Sequence, residues 1–336
     1  MKAAIIFGGS GFIGVFYAKY LIKYLDFSKI YIYDLCDYKT NLFRENLLAD
    51  MPIEFIQGDV RKPINLKPKE KIDLIVNLAA IHREPGHKIN EYYETNITGA
   101  ENICKYANYL NCKKIIFTSS IAPYGNIEKA KDENTIPTPT SAYGGSKLVA
   151  EKIHLSWQSE DKDNKRLVIV RPGVVYGPSE GGNVSRMISA VINRYFIYIG
   201  NKNTKKAGIY IKELCNMLSW AMYNKGVNDE NVILFNAVSD EHPSISNYVN
   251  SICKVKGIKR HVFSLPFAAL LIACKILNFT LNLFNISHPF DPVRIKKLTS
   301  SNEILPTYLT KKNYIYSYNL ESSLRDWYKD NPEEWR

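Results

Sequence analysis

A tyrosine followed four residues later by a lysine, in Tyr143-Gly144-Gly145-Ser146-Lys147, is the pair in this sequence best suited to moving a proton. On a helix the two side chains stand one turn apart on one face. A free tyrosine titrates near pH 10 and is a poor base at neutral pH. A neighbouring ammonium favours the phenolate and brings it toward the working range. A little over twenty residues earlier, Thr118-Ser119-Ser120 offers hydroxyls. Ser120 is the candidate to hydrogen-bond a substrate oxygen as its proton leaves, and Ser119 is a candidate substrate contact. The Tyr-Lys spacing also arises on ordinary surface helices, so it carries weight only beside a reaction partner.

That partner is announced near the amino terminus by Gly8-Gly9-Ser10-Gly11-Phe12-Ile13-Gly14, which follows a β-branched run and opens a helical pattern. Glycines at 8, 11 and 14 permit a tight turn, close backbone approach and close helix–strand packing. The free N–H groups and positive partial charge of the helix then face a pyrophosphate. Asp34 ends the next apolar run, 20 residues past Gly14. A carboxylate there accepts hydrogen bonds from both adenine-ribose hydroxyls and repels a 2′-phosphate, which points to NAD rather than NADP. The positive nicotinamide ring adds to the pull of Lys147 on the Tyr143 phenol.

These groups need a scaffold. Lys2–Phe7, Ile30–Tyr33, Ile53–Gln57, Leu74–Leu78, Lys114–Ser119 and Leu167–Arg171 are short runs rich in Ile, Val, Phe and Tyr, and helical patterns such as Phe12–Leu25 and Tyr92–Leu110 lie between them. Alternating strands and helices with continuously apolar strands predict an α/β fold, a Rossmann-like doubly wound parallel sheet with its crevice at the carboxyl ends of the strands. Past Arg171-Pro172-Gly173 the pattern becomes irregular. Gly208–Tyr223 reads as helix, Asn231–Val238 as one more strand, Leu320–Tyr328 as a final helix. The expected division is a dinucleotide-binding domain over 1–177, with 205–240 returning to it, and a smaller discontinuous substrate lobe over 178–204 and 241–336.

Composition narrows the classes further. The 336 residues are 46% hydrophobic and 23% charged, ordinary for a globular chain. The net charge is +11, yet the densest basic cluster is Lys202, Lys205 and Lys206, which argues against a nucleic-acid partner. Six scattered cysteines without a CxxC pair predict free thiols in a reducing compartment and no metal site. The first residues run straight into the glycine turn, which leaves no room for a signal peptide, and a cytoplasmic location is expected. The apolar stretch Val262–Ile286 is interrupted by Pro266 and Lys275, too short for a span of about 20 residues, and reads as an amphipathic buried helix, with membrane contact the lesser alternative.

The three-residue glycine spacing, the Tyr-x-x-x-Lys pair and Ser120 together resemble the extended short-chain dehydrogenase/reductase family, in its nucleotide-sugar epimerase/dehydratase branch with the UDP-glucose and UDP-N-acetylglucosamine 4-epimerases. The resemblance runs nearly end to end. It implies an adenine contact from Asp59 and Val60 in Gly58-Asp59-Val60, a cofactor-lining loop from Leu78, Ala79 and Ala80, a supporting Asn96, and a crossing into the substrate lobe at Pro172. It also implies a homodimer packed through the helices around Tyr92–Leu110 and Tyr143–Gln158, and a nucleotide diphosphate sugar, UDP-linked above all, as partner. Asn183, Lys206 and Arg294 are the candidates for the diphosphate. His82, in His82-Arg83-Glu84-Pro85-Gly86-His87, is a candidate for the sugar or its phosphate.

Three departures from the family's pattern touch the substrate. Val174 replaces a substrate-binding Asn, Lys206 a phosphate-binding Arg, and Lys212-Glu213 two acidic residues. After the catalytic hydroxyl residue, 4,6-dehydratases carry an Asp-Glu pair and decarboxylating members a Glu; here the positions are Ile121 and Ala122, which can act as neither acid nor base. The expectation is a nucleotide-sugar 4-epimerase with bound NAD. A 4-keto-sugar reductase, a hydroxysteroid or lipid dehydrogenase and a non-catalytic NAD-binding protein stay open.

Overall fold

The computed structural model describes residues 2–84, 86–127, 129–224, 226, 229–266 and 301–336. Its centre is a seven-stranded sheet built from β1 (Lys2–Phe7), β2 (Phe27–Asp34), β3 (Ile53–Gln57), β4 (Ile72–Asn77), β5 (Lys114–Thr118), β6 (Arg166–Pro172) and β10 (Val232–Ala237). The order is β10-β6-β5-β4-β1-β2-β3, with every pairing parallel. The chain winds one way from β1 through β2 to β3, then crosses to β4 on the other side of β1. Ligand crevices open at such a reversal, where the loops after neighbouring strands diverge.

The continuous apolar runs of the sequence are explained by burial on both faces. Along β1, Ala4 and Ile6 face a core shared with Val15, Ala18 and Leu21 of α1 (Phe12–Leu25), while Ala3, Ile5 and Phe7 face Ile103 and Ala107 of α4 (Gly99–Tyr109) and Trp157 of α5 (Ala142–Ser159). α7 (Ile211–Tyr223) covers the first face further along, and its Leu214, Leu218 and Ala221 are fully buried. That core runs on into α6 (Asn183–Ile192), α8 (Ile245–Lys256) and the helix Leu320–Asp330, through Ile188, Val249 and Leu324.

Two expected helices are divided. Gly208–Tyr210 is a strand, β9, paired with β7 (Val174–Tyr176), and α7 starts only at Ile211. A side chain at Gly208 would stand 2.4 Å from Tyr248 Oη, so this segment is pressed flat against its neighbour. The Tyr92–Leu110 helix begins earlier, as α3 (Ile89–Tyr93), and contains a π-helical turn, Glu94–Thr98, before α4. That widened turn carries Asn96 and is the kind of irregularity often found at functional sites. β8 (Tyr198–Ile199) pairs with β11 (Ser264–Leu265) in the part of the chain where the pattern is irregular. Arg294 and most of Val262–Ile286 lie outside the described residues. Among the described residues no helix is long and apolar enough to cross a membrane.

Candidate functional site

A cleft of about 1120 Å³ lies along the carboxyl ends of the strands, lined by Gly8, Gly11, Asp34, Asp59, Ala79, Ser120, Tyr143, Lys147 and Pro172, among others. Its floor is the turn after β1. Gly8 has φ of +72°, and a Cβ there would lie 2.7 Å from the Ala79 nitrogen. A Cβ on Gly14 would lie 2.4 Å from the Gly9 carbonyl oxygen. Gly11 caps α1 with no side chain, and the first turn holds no acid, so its N–H groups face the cleft unscreened. Phe12 and Ile13 line the same wall.

Asp34 closes the far end. Its Oδ2 accepts from the Ser10 N–H at 3.0 Å and its Oδ1 from the Leu35 N–H at 2.7 Å. Burial raises its pKa, while those bonds and the nearby Arg44 oppose the rise. Arg44 Nη1 donates to the Ser10 carbonyl at 2.8 Å, so it braces the glycine turn from behind. Asp59 also lines the cleft but is gripped by Arg61, Nη2 to Oδ2 at 2.7 Å, which lowers its pKa. Val60 is buried under Gly99.

Ala79 N–H donates to Asn77 Oδ1 at 3.2 Å, which fixes the strip Leu78–Ala80 along the wall. Asn96 does the same one step further on. Its Oδ1 accepts from Ile81 N–H at 2.9 Å, and its Nδ2 donates to the Ile81 carbonyl at 3.2 Å and to Ser146 Oγ at 2.8 Å. The π-turn thus ties the loop after β4 to α5.

The reacting groups stand opposite the glycine turn. Ser141 caps α5 by accepting from Gly144 N–H at 3.2 Å, which places Tyr143 in the first turn, near enough to Ser120 for the serine hydroxyl to act on the tyrosine's pKa. Ser120 Oγ accepts from Ala122 N–H at 3.1 Å. Lys147 is 2% exposed, with Nζ 4.6 Å from the centre of the Phe117 ring.

The expected lowering of the tyrosine pKa is not a property of the protein alone. Burial raises it, Glu84 adds to the rise and only the Ser120 hydroxyl opposes it. Lys147 gives no net help because burial brings its own pKa down to about 7, with Glu151 acting against that fall. An ammonium that is partly neutral at pH 7 cannot hold a phenolate by itself.

The expected substrate groups divide. Ser119 lines the cleft, with its hydroxyl donating to Glu151 Oε1 at 2.6 Å. Lys206 is held in a bridge to Asn302 and lies outside the lining of the cleft. Asn183 lines it with Oδ1 accepting from Arg186 Nη2 at 2.8 Å, and His82 lines it with a pKa lowered first by burial. His87 points to Glu91 at 2.8 Å. Lys212 and Glu213 serve the tail: Lys212 pairs with Asp326 and Asp330, and Glu213 accepts from Tyr314 and the Ser317 and Tyr318 N–H groups. Arg61, Glu180 and Arg186 line the cleft unforeseen. Arg186 could have been found, since it follows Asn183 by three residues on one helix face.

A family model for the NAD dependent epimerase/dehydratase family matches residues 4–234. The chain belongs to that family. An N-acetyl-α-D-glucosaminyl-diphospho-undecaprenol 4-epimerase of Escherichia coli O157:H7 is 25% identical over 80% of each chain. A UDP-glucose 4-epimerase of Lactobacillus helveticus is 30% identical over 55% of this chain and 54% of its own. The solved UDP-glucuronic acid 4-epimerase of Bacillus cereus in complex with NAD superposes over the whole of both chains with a TM-score of 0.74 at 18% identity, a likeness of fold. As a member of the epimerase/dehydratase family, the protein is an NAD-dependent enzyme. The cleft fits that cofactor: it has a glycine cradle that any Cβ would fill, an uncapped helix start and an acid at the end of β2. The glycine turn would hold the pyrophosphate, Asp34 the adenine ribose, and Tyr143 and Lys147 the nicotinamide end.

Proposed function

We propose that the protein is a nucleotide-sugar 4-epimerase that oxidises and re-reduces one carbon of its substrate. The observation that carries this is that Ser120, Tyr143 and Lys147 line one cleft, with side chains lacking acid or base at 121 and 122. Bound NAD supplies a hydride acceptor that returns the hydride and, as NAD⁺, a positive charge beside the phenol. Tyr143 Oη takes the C4 hydroxyl proton as the C4–H bond is broken. Ser120 steadies the same oxygen, and Lys147 would hold the nicotinamide ribose and favour the phenolate. The 4-keto sugar turns over, the opposite face is reduced, and Tyr143 gives the proton back. Arg83 and Arg186 line the cleft and are cations available to the substrate's anionic groups.

The test is to incubate the purified protein, with no added cofactor, with UDP-, GDP- and dTDP-sugars and follow C4 inversion by NMR. An epimerase inverts C4 and keeps its NAD. A 4-keto-sugar reductase consumes added reduced nicotinamide one for one, and this outcome would replace the reading. A second reading is favoured by the Escherichia coli relative, whose sugar diphosphate is carried by undecaprenol and which matches over 80% of both chains. Inversion of an undecaprenyl-diphosphate sugar, with every nucleotide sugar left unchanged, would select it.

A further inference from the structure

The Tyr143–Lys147 ladder continues for one more turn, to Glu151, and all of its lower part is sealed from water. Lys147 and Glu151 are each 2% exposed, and Arg171 on β6 is 3% exposed. The Glu151 carboxylate is saturated by three donors. Oε1 accepts from Ser119 Oγ at 2.6 Å and from Arg171 Nε at 2.8 Å, and Oε2 accepts from Arg171 Nη2 at 2.6 Å. Such a bidentate clamp fixes a carboxylate in place. Arg171 Nη1 has no hydrogen-bond partner, and its guanidinium lies 4.8 Å from the centre of the Tyr124 ring.

We propose that Glu151, clamped by Arg171, is a positioning residue that strengthens the hold of Lys147 on its proton and holds the strand end carrying Ser120. This rests on reading Lys147 as the partner of Tyr143. The charge count makes the case: the sealed cluster has two cations and one anion. With Glu151 neutral, the buried Lys147 and Arg171 would be left with no counter-ion, and the lysine, unlike the arginine, can shed its proton. The other groups facing Lys147 cannot replace that anion. His154, on α5, is brought down to about 4 and stays neutral; His82, from the loop after β4, has its pKa lowered; Tyr143 is protonated in the protein alone. Through Ser119 the same carboxylate also anchors the residue next to Ser120, so both reacting side chains are set by one buried charge.

Titration of Lys147 by NMR, in the full chain labelled with ¹³C at lysine Cε and assigned with Lys147→Arg, reads this without any sugar. Failure of the epimerase reading would therefore leave the result standing. Wild type should titrate near 7. Glu151→Gln, which keeps the shape and an acceptor but removes the charge, should lower the midpoint by at least about one unit, a tenfold loss of proton affinity. Glu151→Asp should keep the wild-type midpoint even though it loosens the clamp. The pair Glu151→Gln/Arg171→Met, which removes both charges, should recover most of the shift. A purely structural cross-link would instead lower thermal stability in both single variants and leave the Lys147 midpoint where it was, which overturns the proposal. If Glu151→Gln does not fold, Glu151→Asp decides, because a drop of a full unit with the carboxylate retained overturns it equally.

Discussion

Replacing Gly14 by alanine should detach the cofactor without unfolding the protein. The added Cβ would stand 2.4 Å from the Gly9 carbonyl oxygen, 2.5 Å from its Cα and 2.7 Å from its carbonyl carbon, all backbone atoms that cannot rotate away. Ordinary contact needs about 3.4 Å or more, so α1 must lift from the turn by most of an ångström. Overpacking of this kind costs about 1–3 kcal/mol. The turn that moves is the pyrophosphate cradle, so the same energy should appear as an NAD affinity weakened about 5- to 150-fold, since 1.4 kcal/mol is tenfold. Two glycines grade the effect. Gly11→Ala meets one atom, the Gly8 carbonyl oxygen at 3.2 Å, and should weaken NAD less, whereas Gly145→Ala meets only Tyr93 Oη at 3.6 Å and should change little. Calorimetric titration of NAD into the three variants, with melting curves alongside, reads both terms. If Gly14→Ala binds NAD as wild type does, or if Gly145→Ala is the worst of the three, the assignment of the cradle is wrong.

Other outcomes follow from single groups. His154 is buried with its pKa lowered to about 4, and Nδ1–H donates to the Ala150 carbonyl at 2.7 Å while Nε2 faces Asn77 at 3.2 Å. The unfolded chain binds that proton near pH 6.5, so folding stability should fall as pH drops from 6.5 toward 4, by up to about 1.4 kcal/mol per unit, and His154→Gln should flatten that slope in denaturant titrations at each pH. Asp34→Ala should weaken NAD by about tenfold and narrow or reverse the preference over NADP, measured as the ratio of the two dissociation constants. A UDP- or dTDP-hexose incubated with the wild type should yield no 6-deoxy-4-keto product, because Ile121 and Ala122 offer no acid or base; its appearance in the NMR spectrum would return the protein to the dehydratases.

The parts of this architecture legible in the sequence are those that a short local pattern fixes. Continuous apolar runs gave five of the six strands through residue 171 to within two residues, because burial on both faces removes polar alternation, and Phe12–Leu25 was bounded by Gly11 and the left-handed Asp26. Less legible was what depends on a distant partner. Gly208–Tyr210 continues a helical pattern in the sequence and is a strand through its pairing with Val174–Tyr176, more than thirty residues earlier. The π-turn at Asn96 exists to reach the Ile81 backbone and Ser146. In the site, the spacing that makes Tyr143 and Lys147 neighbours is local, but their charges are not. Burial, which no motif reports, raises one pKa and lowers the other, and the carboxylate that opposes the second belongs to a cluster spanning α5, β6 and the end of β5. Ser119 illustrates the same limit. Beside Ser120 it reads as a second substrate hydroxyl, and it lines the cleft, yet its hydroxyl is engaged by Glu151, a partner that no local pattern announces.

The central claim is that the Tyr143 oxygen carries the proton of the C4 hydroxyl while the rest of the cleft holds the cofactor. The most direct measurement is single-turnover and steady-state conversion by Tyr143→Phe, together with the NAD content of the purified variant. Loss of conversion with NAD still bound is the predicted result, since the ring keeps its packing and only the hydroxyl is gone. Conversion at the wild-type rate by a variant that retains its NAD would contradict the account.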